Sequence, residues 1–243
     1  MRYAAKVAYD GTDYAGFQRQ KNAPSVQQAL EEALSKIYDQ SVRVIGAGRT
    51  DAGVHATGQV IAFDLDWRHS PVELRSALNA RLPHDIAVRE VWQASTNFHP
   101  RFDATRRTYR YRIVCGIVRD PLRRRDTWQM VGPLDVGLMN QAADCLIGTH
   151  DFTSFGLPPR GDNAVREVYQ ARWEQAAVDE IRFTITANAF LFRMVRTLVA
   201  SMAQVGKLRM TVDEFCAILA ARQRGVAVAP APACGLTLID VQY

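Results

Sequence analysis

The chain has 243 residues, 48% hydrophobic and 23% charged, a balance that excludes a disordered polymer and fits one large domain or two modest ones. Net charge is +5, but nine arginines between Arg101 and Arg125 face only Asp103 and Asp120, so that window carries +7 and the rest of the chain −2. A polyanionic partner is the economical reading and a solvated basic strand the plain one; the four cysteines, at 115, 145, 216 and 234, form no CxxC, which argues against a zinc ribbon or redox dithiol and leaves reduced thiols as the expectation.

In chain order, residues 2–9 alternate as a strand (Tyr3, Ala5, Val7, Tyr9) and end at the turn Asp10-Gly11-Thr12. Ser25 opens a helix, with Gln28 completing a capping-box pattern and Val26, Ala29, Leu30, Ala33, Leu34 and Ile37 forming its apolar stripe. Strands are expected near 42–45 and 59–65, with the glycine-rich loop GAGRTDAGVHATG between them. Ser70-Pro71-x-Glu73 starts a second helix that ends before Pro83, and a strand at 86–92 closes the first half. The second half opens with a strand at 107–114 and a basic loop to Arg125. A helix from Asp135 to Gly148, strands near 168–173 and 181–187, and an apolar helix from Asn188 to Gly206 follow. The loop 156–165 is short. Thr211-x-x-Glu214 caps a last helix, and the segment VAPAPACG precedes a final strand at 236–241. Both halves mix strands and helices alike, which predicts two α+β domains, 1–104 and 105–243.

Several chemistries are unsupported. None of the five histidines makes HxxxH or pairs with a cysteine at ligand spacing, so no metal is expected. GAGRTDAG lacks both the GK[ST] of a P-loop and the third glycine of a dinucleotide fingerprint, and no GxSxG is present. The N-terminus has no apolar signal core, and the apolar stretch 189–205 is interrupted by Arg193 and Arg196, so a cytoplasmic chain without a membrane span is expected. The loop from Gly48 to His55 remains. Its one carboxylate, Asp51, follows Arg49-Thr50, and an arginine two residues away is able to hold it ionised and aimed as a nucleophile or base. The alternative is a tight turn in which Asp51 caps the backbone.

GRTDAGVHATGQV closely resembles the active-site stretch of the TruA-type tRNA pseudouridine(38–40) synthases. The resemblance continues through Tyr9-Asp10-Gly11-Thr12 to Phe17-Gln18-x-Gln20, Ser25-Val26-Gln27, Phe98-His99-x-Arg101-Phe102, Thr108-Tyr109-Arg110-Tyr111, His150 to Phe155, and Asn188 to Arg196. It spans nearly the whole chain in order. It implies a two-domain α+β pseudouridine synthase fold, with a central mostly antiparallel sheet and flanking helices. The implied reaction isomerises uridine to pseudouridine at positions 38, 39 and 40 of the tRNA anticodon arm, with no cofactor, by a homodimer. Asp51 matches the catalytic aspartate; attack on C6, attack on C1′ and deprotonation of C2′ to a glycal all stay open. Tyr109 matches the tyrosine that contacts the target base, and it lies in the arginine window. Arg49 and Arg196 match arginines around the carboxylate. On residues alone, Tyr109 reads as strand packing, Arg196 as a buried ion pair and His55 as a loop hydrogen-bonding residue. Arg193, beside Phe192, and Cys234 depart from the family pattern. A basic RNA-binding module does not need Asp51 beside Arg49, and a glycosidase-like hydrolase usually has a second carboxylate.

Overall fold

A computed structural model describes residues 1–158 and 161–243; Pro159 and Arg160, within the 156–165 loop, lie outside the described residues. The chain forms two compact units, Met1–Thr105 with Thr237–Tyr243, and Arg106–Leu236. A boundary at 104/105 assigns the last seven residues to the second unit, whereas here they sit with the first.

The first unit contains β1 (Arg2–Tyr9), α1 (Val26–Tyr38), β2 (Ile45–Gly46), β3 (His55–Asp64), α2 (Pro71–Asn79) and β4 (Ile86–Gln93). β1 lies between β3 and β4, antiparallel to both. The closing strand of the chain, β10 (Leu236–Gln242), runs parallel to β3, with Thr237 opposite His55. Tyr3, Ala5, Val7 and Tyr9 are buried as their alternation predicts, but Ala4 and Ala8 are buried as well, because β1 is an inner strand. The Ser70–Glu73 capping box forms in full, whereas α1 has half of one. Ser25 Oγ accepts from Gln28 N, but the Gln28 side-chain amide donates to Glu32 at 2.8 Å instead of reaching back.

The second unit contains β5 (Arg106–Cys115), β6 (Trp128–Met130), α3 (Val136–Asp144), β7 (Gly148–Asp151), β8 (Val165–Ala177), β9 (Glu180–Ala187), α4 (Met194–Gly206) and α5 (Val212–Ala221). β5, β9, β8 and β7 pair antiparallel in that order, and β6 runs parallel to β5. Tyr111, Trp173 and Phe183 form its centre, with the Trp173 and Phe183 rings stacked at 4.9 Å. α4 is buried over most of its length. The expected mixed α/β architecture, mostly antiparallel with helices outside the strands, is the one found. The short strands β6 and β7 were not expected, α3 stops before Cys145, and α4 begins only at Met194.

One device occurs in both units. Asn79 of α2 donates to Val88 O and accepts from Val88 N on β4, at 2.9 and 2.8 Å. Asn140 of α3 makes the same pair with Trp173 on β8, at 3.0 and 2.8 Å. Each side-chain amide closes the backbone of a buried residue where no neighbouring strand does so.

The basic window is divided by the two-residue period of β5. Arg112 makes a paired contact with Glu180, at 2.9 and 3.0 Å, and also meets Asp126. Arg182 reaches Glu180 at 2.7 Å, and Arg123 binds both Asp179 and Glu180. Arg112 and Arg123 are thus structural ion-pair partners. The hydrogen bond from Arg112, with Arg182 beside it, outweighs burial and holds the Glu180 carboxyl down at about 2.

Cys145, at the end of α3, and Cys216, on α5, are disulfide-bonded, which corrects the expectation of reduced thiols; Cys115 and Cys234 are in no disulfide. The 71-residue separation carries no local motif, so the pairing was invisible before α3 and α5 were placed.

Two measurements test these features. Protein purified without reductant should titrate two thiols when denatured and four after dithiothreitol, and reduction should cost about 4 kcal/mol of stability; four thiols at the outset would show the bond absent. Glu180 stays ionised in the folded state well below its ordinary 4.5, so its contribution is complete above that pH and is lost as pH falls toward about 2. Glu180→Gln should flatten that acid limb of the stability curve and cost about 3 kcal/mol at neutral pH, because Arg112, Arg123 and Arg182 lose a shared partner.

Candidate active site

The loop between β2 and β3 is fixed from several directions within the first unit. Thr50 is buried, and its hydroxyl meets the Tyr9 hydroxyl at 2.8 Å. Its carbonyl accepts from the Phe17 amide at 3.1 Å. On the other side of Asp51, the Gly53 amide donates to Tyr14 O at 3.3 Å, and the Val54 amide closes a turn onto Asp51 O at 3.1 Å. At the start of the loop, Gln59 holds Gly48 through both amide atoms, at 2.9 and 3.3 Å.

The segment 9–17 gets close enough to do this because it carries glycine at the crossings. A Cβ on Gly11 would lie 2.0 Å from Val54 O. Gly16, at φ +103°, has room for a side chain on neither count: its backbone is left-handed, and a Cβ would lie 2.6 Å from Thr50 O. Burial pushes the Tyr9 phenol up to about 12, against the hydrogen bonds to Thr50 and Gln59, so it serves as a neutral hydroxyl. His55 Nδ1 lies 3.0 Å from the Gly11 amide and 3.1 Å from Asp10 Oδ1, where it either accepts from the amide or donates to the carboxylate. That agrees with its reading as a hydrogen-bonding loop residue.

Asp51 is half-buried between these fixed points. Arg49 is exposed. The backbone on either side of the carboxylate is thus held at Thr50 and Gly53. Tyr9, Phe17 and Gln59 do this work and were not read as site residues. Gln59, a polar residue opening an apolar run, was the available signal.

In the second unit Tyr109 is buried, with its ring edge-to-face on Phe190 at 5.1 Å. Alternation along β5 places Arg106, Arg110 and Arg112 on the opposite face, so Tyr109 does not share a face of the strand with these three arginines. Arg107 shares its face and donates to Asn188 O at 2.7 Å. Arg196 is half-buried on α4, and its Nε donates to Ala231 O at 2.8 Å while the Ala231 amide returns to Arg196 O at 3.0 Å. The Tyr111 hydroxyl donates to the next carbonyl, Pro232 O, at 2.7 Å. The proline-alanine segment thus serves to hold Arg196 and Tyr111.

No group of three or more metal-ligating side chains occurs among the described residues, and no helix there is long and apolar enough to cross a membrane. A rigidly held carboxylate on a glycine-rich loop is suited to attack or proton removal.

Comparisons with known proteins bear on which. A family model described as tRNA pseudouridine synthase matches residues 5–103 and 142–243, taking in Arg49, Asp51 and Arg196 but not Tyr109. A tRNA pseudouridine synthase A of Limosilactobacillus reuteri (strain DSM 20016) is 40% identical, over 100% of this chain and 96% of its own. One from Thermotoga petrophila is 39% identical, with 100% and 99% covered. One from Chloroflexus aurantiacus (strain J-10-fl) is 43% identical, with 99% and 88% covered.

The clamp on Thr50 predicts a double-mutant result. Tyr9→Phe and Thr50→Val should each destabilise the protein by about 1–3 kcal/mol, since each strands a buried hydroxyl, and the pair together should cost less than their sum. Chemical denaturation of the four proteins measures this; strict additivity would show that the two hydroxyls do not act together.

Proposed function

The chain belongs to the tRNA pseudouridine synthase family, isomerases that act on tRNA, and we propose that it converts uridine to pseudouridine at positions 38, 39 and 40 of the anticodon stem-loop, with Asp51 as the reacting carboxylate and no cofactor. The observation that carries this reading is the hold on the loop at Thr50 and Gly53, which fixes the backbone on both sides of Asp51. A carboxylate whose position is set before substrate arrives needs little reorganisation during reaction.

The reaction is an internal exchange. The C1′–N1 bond breaks, the uracil turns, C5 bonds to C1′, and the C5 proton leaves as N1 gains one. Nothing is oxidised or reduced. Asp51 serves this sequence by attack at C6, attack at C1′ or removal of the C2′ proton. The target base has to leave its stack to be reached. The family resemblance assigns Tyr109, braced by Phe190, to the flipped base, and Arg196 to the positive charge that the carboxylate requires. Arg49, being exposed, is better placed for backbone phosphate than for fixing Asp51. The homodimer rests on the family resemblance, as does a cytoplasmic location. A disulfide such as Cys145–Cys216 is uncommon in that compartment, so the thiol titration bears on it too.

Asp51→Asn keeps the shape and the turn-capping capacity of the side chain while removing its charge and basicity. Pseudouridine formation in a tRNA transcript, in single turnover at saturating enzyme with EDTA present, should fall by more than about 10⁴-fold, with thermal stability and most tRNA affinity kept. Activity within tenfold of the unmodified chain would leave Asp51 a turn residue and overturn the proposal.

A further inference from the structure

The entry to α4 carries an outward-facing feature that the reaction as described does not use. Leu157 and Phe192 face each other as an isolated antiparallel pair and exchange both backbone hydrogen bonds, at 2.9 and 3.3 Å. The backbones touch closely: a Cβ on Gly156 would lie 2.7 Å from Leu191 Cβ and 2.9 Å from Phe192 O. On this fixed base two large apolar side chains stay open to solvent, Leu157 at 42% and Phe192 at 46% exposure. The Arg193 guanidinium lies over the Phe192 ring, 4.8 Å from its centre. Arg193 is itself unusual. It caps α4 at φ 63°, ψ 2°, a left-handed conformation, and makes no side-chain cap bond. A cap residue is ordinarily extended and bonded to the first turn. Sequence here keeps a long cationic side chain where glycine or a capping residue is favoured for stability.

We propose that Leu157, Phe192 and Arg193 form a shelf on which an unpaired base of the tRNA, other than the target uridine, stacks, with Arg193 also meeting a phosphate. This rests on the tRNA-modifying reading above. An aromatic face beneath a guanidinium takes any base, because every base has a π-face and carries a phosphate beside it. The patch comprises three side chains, far short of the roughly 800 Å² per partner of a stable protein interface, which favours a nucleotide over a protein. Arg196 lies three residues further along the chain, in the first turn of α4, so the shelf adjoins a residue of the matched motif.

The test uses Phe192→Ala, Phe192→Trp and Arg193→Gly in the full chain, with affinity for tRNA transcript and single-turnover pseudouridine formation read separately. Phe192→Ala should weaken tRNA binding about 5- to 150-fold, while the rate at saturating enzyme stays within about threefold; Phe192→Trp should bind as the parent does. Arg193→Gly should unfold at the same or a higher temperature, yet bind tRNA less tightly and with a slope of log affinity against log salt reduced by about one. Affinity within twofold of the parent for Phe192→Ala, an unchanged salt slope for Arg193→Gly, or a lost saturating rate with affinity intact would each overturn the shelf. A parent chain that binds tRNA but makes no pseudouridine would instead overturn the proposed function, and the affinity comparison would still decide the shelf.

Discussion

The hydrogen bond between the Tyr9 and Thr50 hydroxyls joins the end of the first strand to the residue before the candidate carboxylate. With the Phe17 amide on the carbonyl of the same residue, it makes Thr50 a fixed point rather than part of a free loop. The glycines at 11 and 16 follow from it, because a strand end and a loop can share hydrogen bonds only where no Cβ keeps them apart. So does the burial of Tyr9, which turns a phenol into a permanent neutral partner. The short motif around Asp51 and the distant motif around Tyr9 are therefore one structural unit.

Much of this was legible before the fold was known, where the cause is local. Ser70 and Thr211 announce helices through side chains three residues on, and both boxes form in full. The alternation of Tyr3, Ala5, Val7 and Tyr9 names a strand correctly, though not that both its faces are covered. What failed depended on distance in the chain. Cys145 and Cys216 meet only once α3 and α5 have packed. The nine-arginine window looked like a single basic surface, but a strand sends alternate side chains to opposite faces, and acids from β9 and its preceding turn claim two of them.

The second unit thereby separates two kinds of work on one strand. One face of β5 carries Tyr109 and Tyr111 into aromatic packing. The other carries Arg112 into a cluster centred on Glu180. Arginine composition alone thus overstates the positive charge left without an acidic neighbour. The residues that remain candidates are those, such as Arg119 and Arg124, that stay exposed.

The asparagine latches at Asn79 and Asn140 have a consequence for assembly. Each occupies the outward amide and carbonyl of a strand residue, Val88 and Trp173, which would otherwise offer a template to a further strand. With those positions taken, neither β4 at Val88 nor β8 at Trp173 can accept a further strand there from another molecule. At these two positions copies of this chain can meet only through side chains, and a contact made that way can part again without either sheet giving up a backbone hydrogen bond.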